Sequence, residues 1–94
     1  MSGRAHLERV HSIPCVVCVH MGLPPRYPTH AHHLESVRDG LSDYATVSLC
    51  ADHHQGPNGV HGLSRRAFEA RYKLTDVDLL AMTLKLLEKE GRLV

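Results

Sequence analysis

Nine histidines and three cysteines among 94 residues are the side chains of this sequence best suited to chemistry, because imidazole and thiolate are the ligands that borderline-soft divalent metals prefer. Cys15-Val16-Val17-Cys18 and Cys50-Ala51-Asp52-His53 form two pairs with the same two-residue gap. Each pair fits a tight turn, and together they supply four ligands for a tetrahedral zinc closed to solvent. The 31 residues between the pairs, 19–49, exceed the loop of a small zinc finger, so the zinc would clamp a sizeable insertion. The competing reading, free buried cysteines, leaves the matching gaps unexplained.

A second group of histidines lies within and just after that insertion: His32-His33, then His54 beside the second ligand pair, then His61. Adjacent residues of a strand point to opposite faces, so His32 and His33 cannot easily serve one ion together. One could bind a metal while the other activates water, a division that hydrolysis requires because a metal-bound imidazole has lost its free lone pair.

In order and spacing, Ala31-His32-His33-Leu34, Ser42-Asp43-Tyr44, Leu49-Cys50-x2-His53-His54 and His61 resemble the HNH nucleases, also called His-Me finger or ββα-metal nucleases. The similarity is greatest to the phage-type branch that includes recombination-enhancement nucleases, and it spans about residues 14–72. It implies a metal-dependent endonuclease acting on nucleic acid, with DNA the expected substrate. Carried over position by position, it makes His33 the general base and His32 and His54 ligands of a catalytic divalent ion (Mg2+, Mn2+, Zn2+ or Ni2+), with His61 the third ligand. Asp43 takes the central place, usually Asn, where a carboxylate can accept backbone N–H bonds but cannot donate. Asn58, the only asparagine, is the rival for that place, but its Pro57-Asn58-Gly59 setting is a turn signature. His54 and His61 are seven positions apart, about 10.5 Å along a helix, whereas two nitrogens each about 2 Å from one ion are at most about 4 Å apart. The chain must therefore fold back at Gln55 to Gly59 for His61 to ligate; otherwise water or substrate fills the third position.

The elements that would position these groups are short. Residues 4–11 read as a helix with Leu7 and Val10 on one face, ended ahead of Pro14. Met21 to Pro28 is a loop, because three prolines and a glycine break any period. Thr29 to Val37 reads as a strand, Arg38-Asp39-Gly40 as a turn, and Ala45 to Leu49 as the returning strand of a hairpin. Ser64 is a candidate N-cap for a helix through about Tyr72. Thr75 with Asp78 resembles a capping box opening a last helix from about Asp76 to Glu90. That helix carries two apolar stripes, Val77, Leu80, Leu84, Leu87 and Leu79, Met82, Leu86, wider than one buried face needs. They serve either one broad core helix or a homodimer contact. The expected fold is a single α+β domain over 1–94: a zinc-stapled ββα core with an N-terminal helix and C-terminal helices.

Composition sets bounds on this reading. A chain of this length with no Trp and one Phe builds only a small core, so a metal or a partner should help. An odd cysteine count and the lack of an apolar span point to a reducing cytoplasm and no membrane, within a bacterial host if the phage likeness holds. A net charge of +1 does not by itself announce a nucleic-acid binder. Locally, Arg65, Arg66, Arg71 and Lys73 form a basic group that serves either as a phosphate-binding face or as a solvated one. No base-reading element is evident, so a targeting partner protein is compatible with the sequence. His6, His11, His20 and His30 match no motif position and are expected to be exposed or otherwise satisfied, with His30 set apart by sharing the strand face of His32. The rival functional class is a non-catalytic zinc module binding nucleic acid or protein, which leaves His32, His33, His54 and His61 without a purpose. A redox Cys-x2-Cys protein is disfavoured because no βαβ pattern surrounds the cysteines.

Overall fold

The computed structural model describes residues 3–34 and 41–91, in a small α+β arrangement of a two-stranded antiparallel sheet wrapped by helices. Helix α1 (Arg4–His11) leads to the short α2 (Val16–His20), strand β1 (His30–His33), a 3-10 turn at Ser42–Tyr44, strand β2 (Thr46–Leu49), the one-turn α3 (Ala51–His54), then α4 (Arg65–Tyr72) and α5 (Asp76–Lys89). The expected hairpin forms, with His30 opposite Leu49 and His32 opposite Val47. The proposed strand end at Val37 and the Arg38-Asp39-Gly40 turn lie outside the described residues.

Local chemistry accounts for the boundaries. The Ser64 hydroxyl accepts the backbone N–H of Ala67 and caps α4, a contact typically worth about 1 kcal/mol. Thr75 and Asp78 form the capping box of α5 with Asp in the place usual for Glu. These backbone and Thr75 hydroxyl hydrogen bonds hold the Asp78 carboxyl below its ordinary range. The two arms of the first ligand set are helical turns rather than open turns. Cys15 is the N-cap of α2, and the left-handed Gly22 ends it, with Gly22 N–H on Val19 O and Leu23 N–H on Cys18 O, the paired bonds of a Schellman motif.

Strand β2 is buried along its whole length, so its polar side chains need partners. The Ser48 hydroxyl donates to Pro14 O and that of Thr46 to Asp43 O. One sheet face presents Val47 and Leu49 to a core with Cys15, Cys18, Cys50, Phe68, Tyr72, Leu74 and Leu79. A second cluster joins Val10 and Ile13 of the N-terminal region to Leu87. Helix α5 lies across both clusters, burying Leu79, Thr83 and Leu87 and half-burying Leu80, Met82, Leu84 and Leu86. This accounts for much of the width of its apolar surface, although Val77 stays 75 % exposed.

Thr29 lies just ahead of β1 rather than opening it, and serves as a latch. Its hydroxyl reaches the carbonyls of His11 and Ile13 at 3.0 and 2.9 Å, and its own carbonyl accepts from His11 Nδ1 at 2.7 Å. These contacts bind the end of α1 to the start of β1. In α1 it is His6, not Leu7, that is buried with Val10. The His6 ring packs 5.3 Å from that of Tyr44, and burial, with Arg9 nearby, lowers its pKa.

Candidate metal centres

Cys15 and Cys18 come from α2, and Cys50 and His53 from the turn that opens α3. The four side chains meet in the buried core as one group whose ligand atoms all lie within 4.8 Å of one another. His53 Nδ1 is 3.6, 3.5 and 3.3 Å from the sulfurs of Cys15, Cys18 and Cys50, and Cys18 Sγ is 3.9 Å from Cys50 Sγ. A tetrahedron with Zn–S of about 2.3 Å and Zn–N of about 2.05 Å has S···N edges of about 3.6 Å and S···S edges of about 3.8 Å. The match is close, and the sulfurs are far beyond the roughly 2.05 Å of a disulfide.

Burial makes the thiols of this group hard to ionise. Burial and the neighbouring thiols push the Cys18 thiol up to about 12, and burial raises that of Cys15. Crowded buried thiols resist ionising, so thiolates here require a compensating positive charge. His53 is lowered by burial and next by the Arg26 guanidinium, which suits an imidazole that ligates in its neutral form. Arg26 also pairs with Asp52 at 2.6 Å, tying the proline-rich loop to α3. The cluster could therefore hold a structural zinc through Cys15, Cys18, Cys50 and His53.

The second cluster uses the residue after His53. Consecutive helical residues are about 100° apart, so His53 turns toward the sulfurs while His54 turns toward β1. There His54 meets His32, ring centroids 5.3 Å apart, and His61, 4.7 Å apart. The chain folds back as anticipated, with Val60 N–H on His53 O at 2.9 Å and His61 N–H on His54 O at 3.0 Å. Gly59 permits the approach, since a Cβ there would lie 2.6 Å from the His53 carbonyl carbon. The Tyr72 hydroxyl secures the loop by donating to Asn58 O at 2.7 Å.

His32, His54 and His61 offer ligand atoms within 4.8 Å of one another, and His54 Nε2 is 3.1 Å from His61 Nε2. Two imidazoles on one tetrahedral ion are separated by about 3.35 Å at their nitrogens, so this spacing also fits a metal. His61 is exposed and the other two half-buried, which leaves the site open, unlike the closed Cys3His group. His54 is pushed down to about 4 by burial and then by the imidazoles of His32, His61 and His30. A cleft of about 320 Å³ adjoins it, lined by His32 and His61, with Val60, Leu63 and Phe68 as apolar wall.

His33 points away from this triad, as strand alternation requires. Its Nε2 is 3.0 Å from Asp43 Oδ1, and both side chains are part-exposed. Asp43, foreseen as an acceptor of backbone N–H bonds, meets the His33 ring directly. Asn58 lies in the Gln55–Gly59 turn, with an exposed side chain.

The basic group on and after α4 is less free than its sequence suggests. Arg65 is engaged with Asp76 at 3.1 Å and Glu69 at 3.7 Å, and the Arg71 guanidinium lies 5.6 Å from the Tyr72 ring centroid. Arg66 and Lys73 are exposed. His11 and His30, which match no motif, are engaged by Thr29 and His54, and His20 is exposed. The position of His30 two residues before His32 was the one sequence signal of its involvement.

No family model, curated protein or solved structure matches the chain. No helix among the described residues is long and apolar enough to cross a membrane.

Proposed function

We propose that this protein is a metal-dependent endonuclease of the HNH type that hydrolyses phosphodiester bonds in DNA. The observation that carries the reading is that consecutive strand residues do different things. His32 joins His54 and His61 in an open three-histidine group, while His33 faces away and is held by Asp43. A closed zinc module needs neither arrangement.

His33 would act as general base. With Asp43 accepting its Nε2–H, the imidazole keeps a lone pair on Nδ1, where it takes a proton from water as the water oxygen attacks phosphorus and the P–O3' bond breaks. A divalent ion bound by His32, His54 and His61 would supply Lewis acidity to the scissile phosphate and the leaving oxygen. The Cys3His group would hold α2 and α3 together so that β1 and the His61 loop converge. Arg66 and Lys73, both exposed, would be the cations that meet phosphates outside the cleft. The setting in which this activity fits is a bacterial cytoplasm, with a partner protein supplying targeting.

The test is a cleavage assay on supercoiled, linear and single-stranded DNA with Mg2+, Mn2+, Zn2+ or Ni2+ added, alongside metal analysis. Cleavage that needs a second, exchangeable ion is the expected result. Protein holding one tight zinc, with no second ion and no cleavage, would instead be the nucleic-acid- or protein-binding zinc module.

A further inference from the structure

The two ring nitrogens of His54 have different neighbours. Nε2 lies 3.1 Å from His61 Nε2, its partner with His32 in the three-histidine group. Nδ1 lies 2.8 Å from His30 Nδ1, with the two rings in a T-shaped arrangement at 73°. The nitrogens of one imidazole point in diverging directions, so an ion at Nε2 of His54 is out of reach of a group seated against its Nδ1. His30 thus stands behind the ligand rather than beside it. Strand alternation puts it there: His30 and His32 share a sheet face, opposite Leu49 and Val47.

We propose that His30 is a positioning residue for the open metal site, accepting the Nδ1–H of His54 and so aiming the Nε2 lone pair of His54 at the ion. The proposal rests on the reading of His32, His54 and His61 as ligands. A contact of 2.8 Å between two imidazole nitrogens requires one to donate and the other to accept. A neutral imidazole carries one N–H and one lone pair. Ligation through Nε2 therefore puts the proton of His54 on Nδ1 and makes His30 Nδ1 the acceptor, with the His30 proton on its own Nε2. The opposite polarity would leave His54 with its N–H on Nε2, facing the metal. Metal-bound histidines commonly donate their other ring N–H to an oxygen acceptor, and loss of that partner typically costs about 10–100-fold in metal affinity or activity. Here a second imidazole fills the role.

The experiment titrates Ni2+ into untagged protein by calorimetry with the knuckle zinc in place, and records the imidazole 15N shifts of His54 before metal is added. His30→Phe fills the space without an acceptor. His30→Asn places an amide oxygen where Nδ1 stood. We expect His30→Phe to weaken Ni2+ binding by about 10–100-fold, His30→Asn to recover most of that loss, and wild-type His54 to be protonated at Nδ1 even without Ni2+. Wild-type affinity in His30→Phe, equal weakening in both variants, or an Nε2–H tautomer of His54 in the wild type would each overturn the role of His30. The 15N readout does not depend on how either variant folds. Wild-type protein that binds no Ni2+ beyond its zinc would overturn the ligand triad itself, and His30 with it.

Discussion

His33 and His54 are neighbours of the same proposed reaction, yet their substitutions should fail in different ways. His33→Ala removes the proposed base but no proposed ligand, so it should bind the second metal and DNA as before while losing roughly 10²-fold or more in cleavage rate. His54→Ala should lose the second metal itself. Asp43→Ala should behave like a weaker His33→Ala, because the carboxylate acts through the His33 ring at 3.0 Å. Asn58→Ala should stay near wild type, since the Tyr72 hydroxyl bonds its backbone oxygen, which alanine keeps. Single-turnover plasmid cleavage with calorimetric metal titration separates the four. A His33→Ala protein cutting at the wild-type rate would end the mechanism, and an inactive Asn58→Ala with an active Asp43→Ala would reverse the assignment of the central residue.

The loop between α3 and α4 decides whether the site has two imidazoles or three. Its fold-back depends on Gly59, where a Cβ would crowd the His53 carbonyl carbon at 2.6 Å and Asp52 O at 2.7 Å. Backbone atoms cannot step aside as a flexible side chain can. Gly59→Ala should therefore displace His61 and weaken binding of the second metal, while the Cys3His group keeps its zinc. Undiminished Ni2+ affinity in that variant would show that His61 is dispensable. On α4 the two arginines should part company. Arg66→Ala should flatten the salt dependence of DNA binding by about 0.9 log units of slope for one lost duplex phosphate contact. Arg65→Ala should leave the slope nearly unchanged, because its charge is engaged by Asp76 and Glu69. Equal slope changes would mean that Arg65 releases its carboxylates on binding.

With no Trp and one Phe, the molecule has little apolar reserve, and the proposed knuckle zinc sits within its larger core cluster. Zinc binding is worth on the order of 10 kcal/mol or more in finger peptides, comparable with the roughly 5–15 kcal/mol net stability of a whole domain. Chelation or Cys50→Ala should therefore unfold the protein, as circular dichroism would record. A cooperative melt at wild-type zinc content in Cys50→Ala would contradict the assignment. Acid should act in the same direction. His54 is pushed down to about 4, and His53 and His6 are also lowered. An unfolded chain takes up these protons near its ordinary pKa of about 6.5, while the folded protein resists until lower pH. Their contribution to stability is thus full above about pH 6.5 and is lost as pH falls below it, the His54 share as pH falls toward 4. A melting temperature unchanged between about pH 7 and pH 5 would count against these depressed values.

Much of this arrangement was legible before folding because it depends on neighbours in the chain. Helix boundaries at Ser64 and Thr75 follow from side chains that bond backbone three residues on. The paired Cys15/Cys18 and Cys50/His53 gaps are one-turn spacings, and the opposition of His32 and His33 is strand alternation. The need for a fold-back before His61 follows from helix rise against bond length. What the linear order could not express are contacts between distant segments. Nothing local binds His11 to Thr29, commits Arg65 to Asp76, aims Asp43 at the His33 ring or buries His6. The case of His30 is the plainest: its strand face could be assigned from alternation, but its partner across 24 positions, His54 Nδ1 at 2.8 Å, exists only because packing of β1 against α3 brings two imidazole edges together, and hydrogen-bond polarity is a property of that meeting rather than of either residue alone.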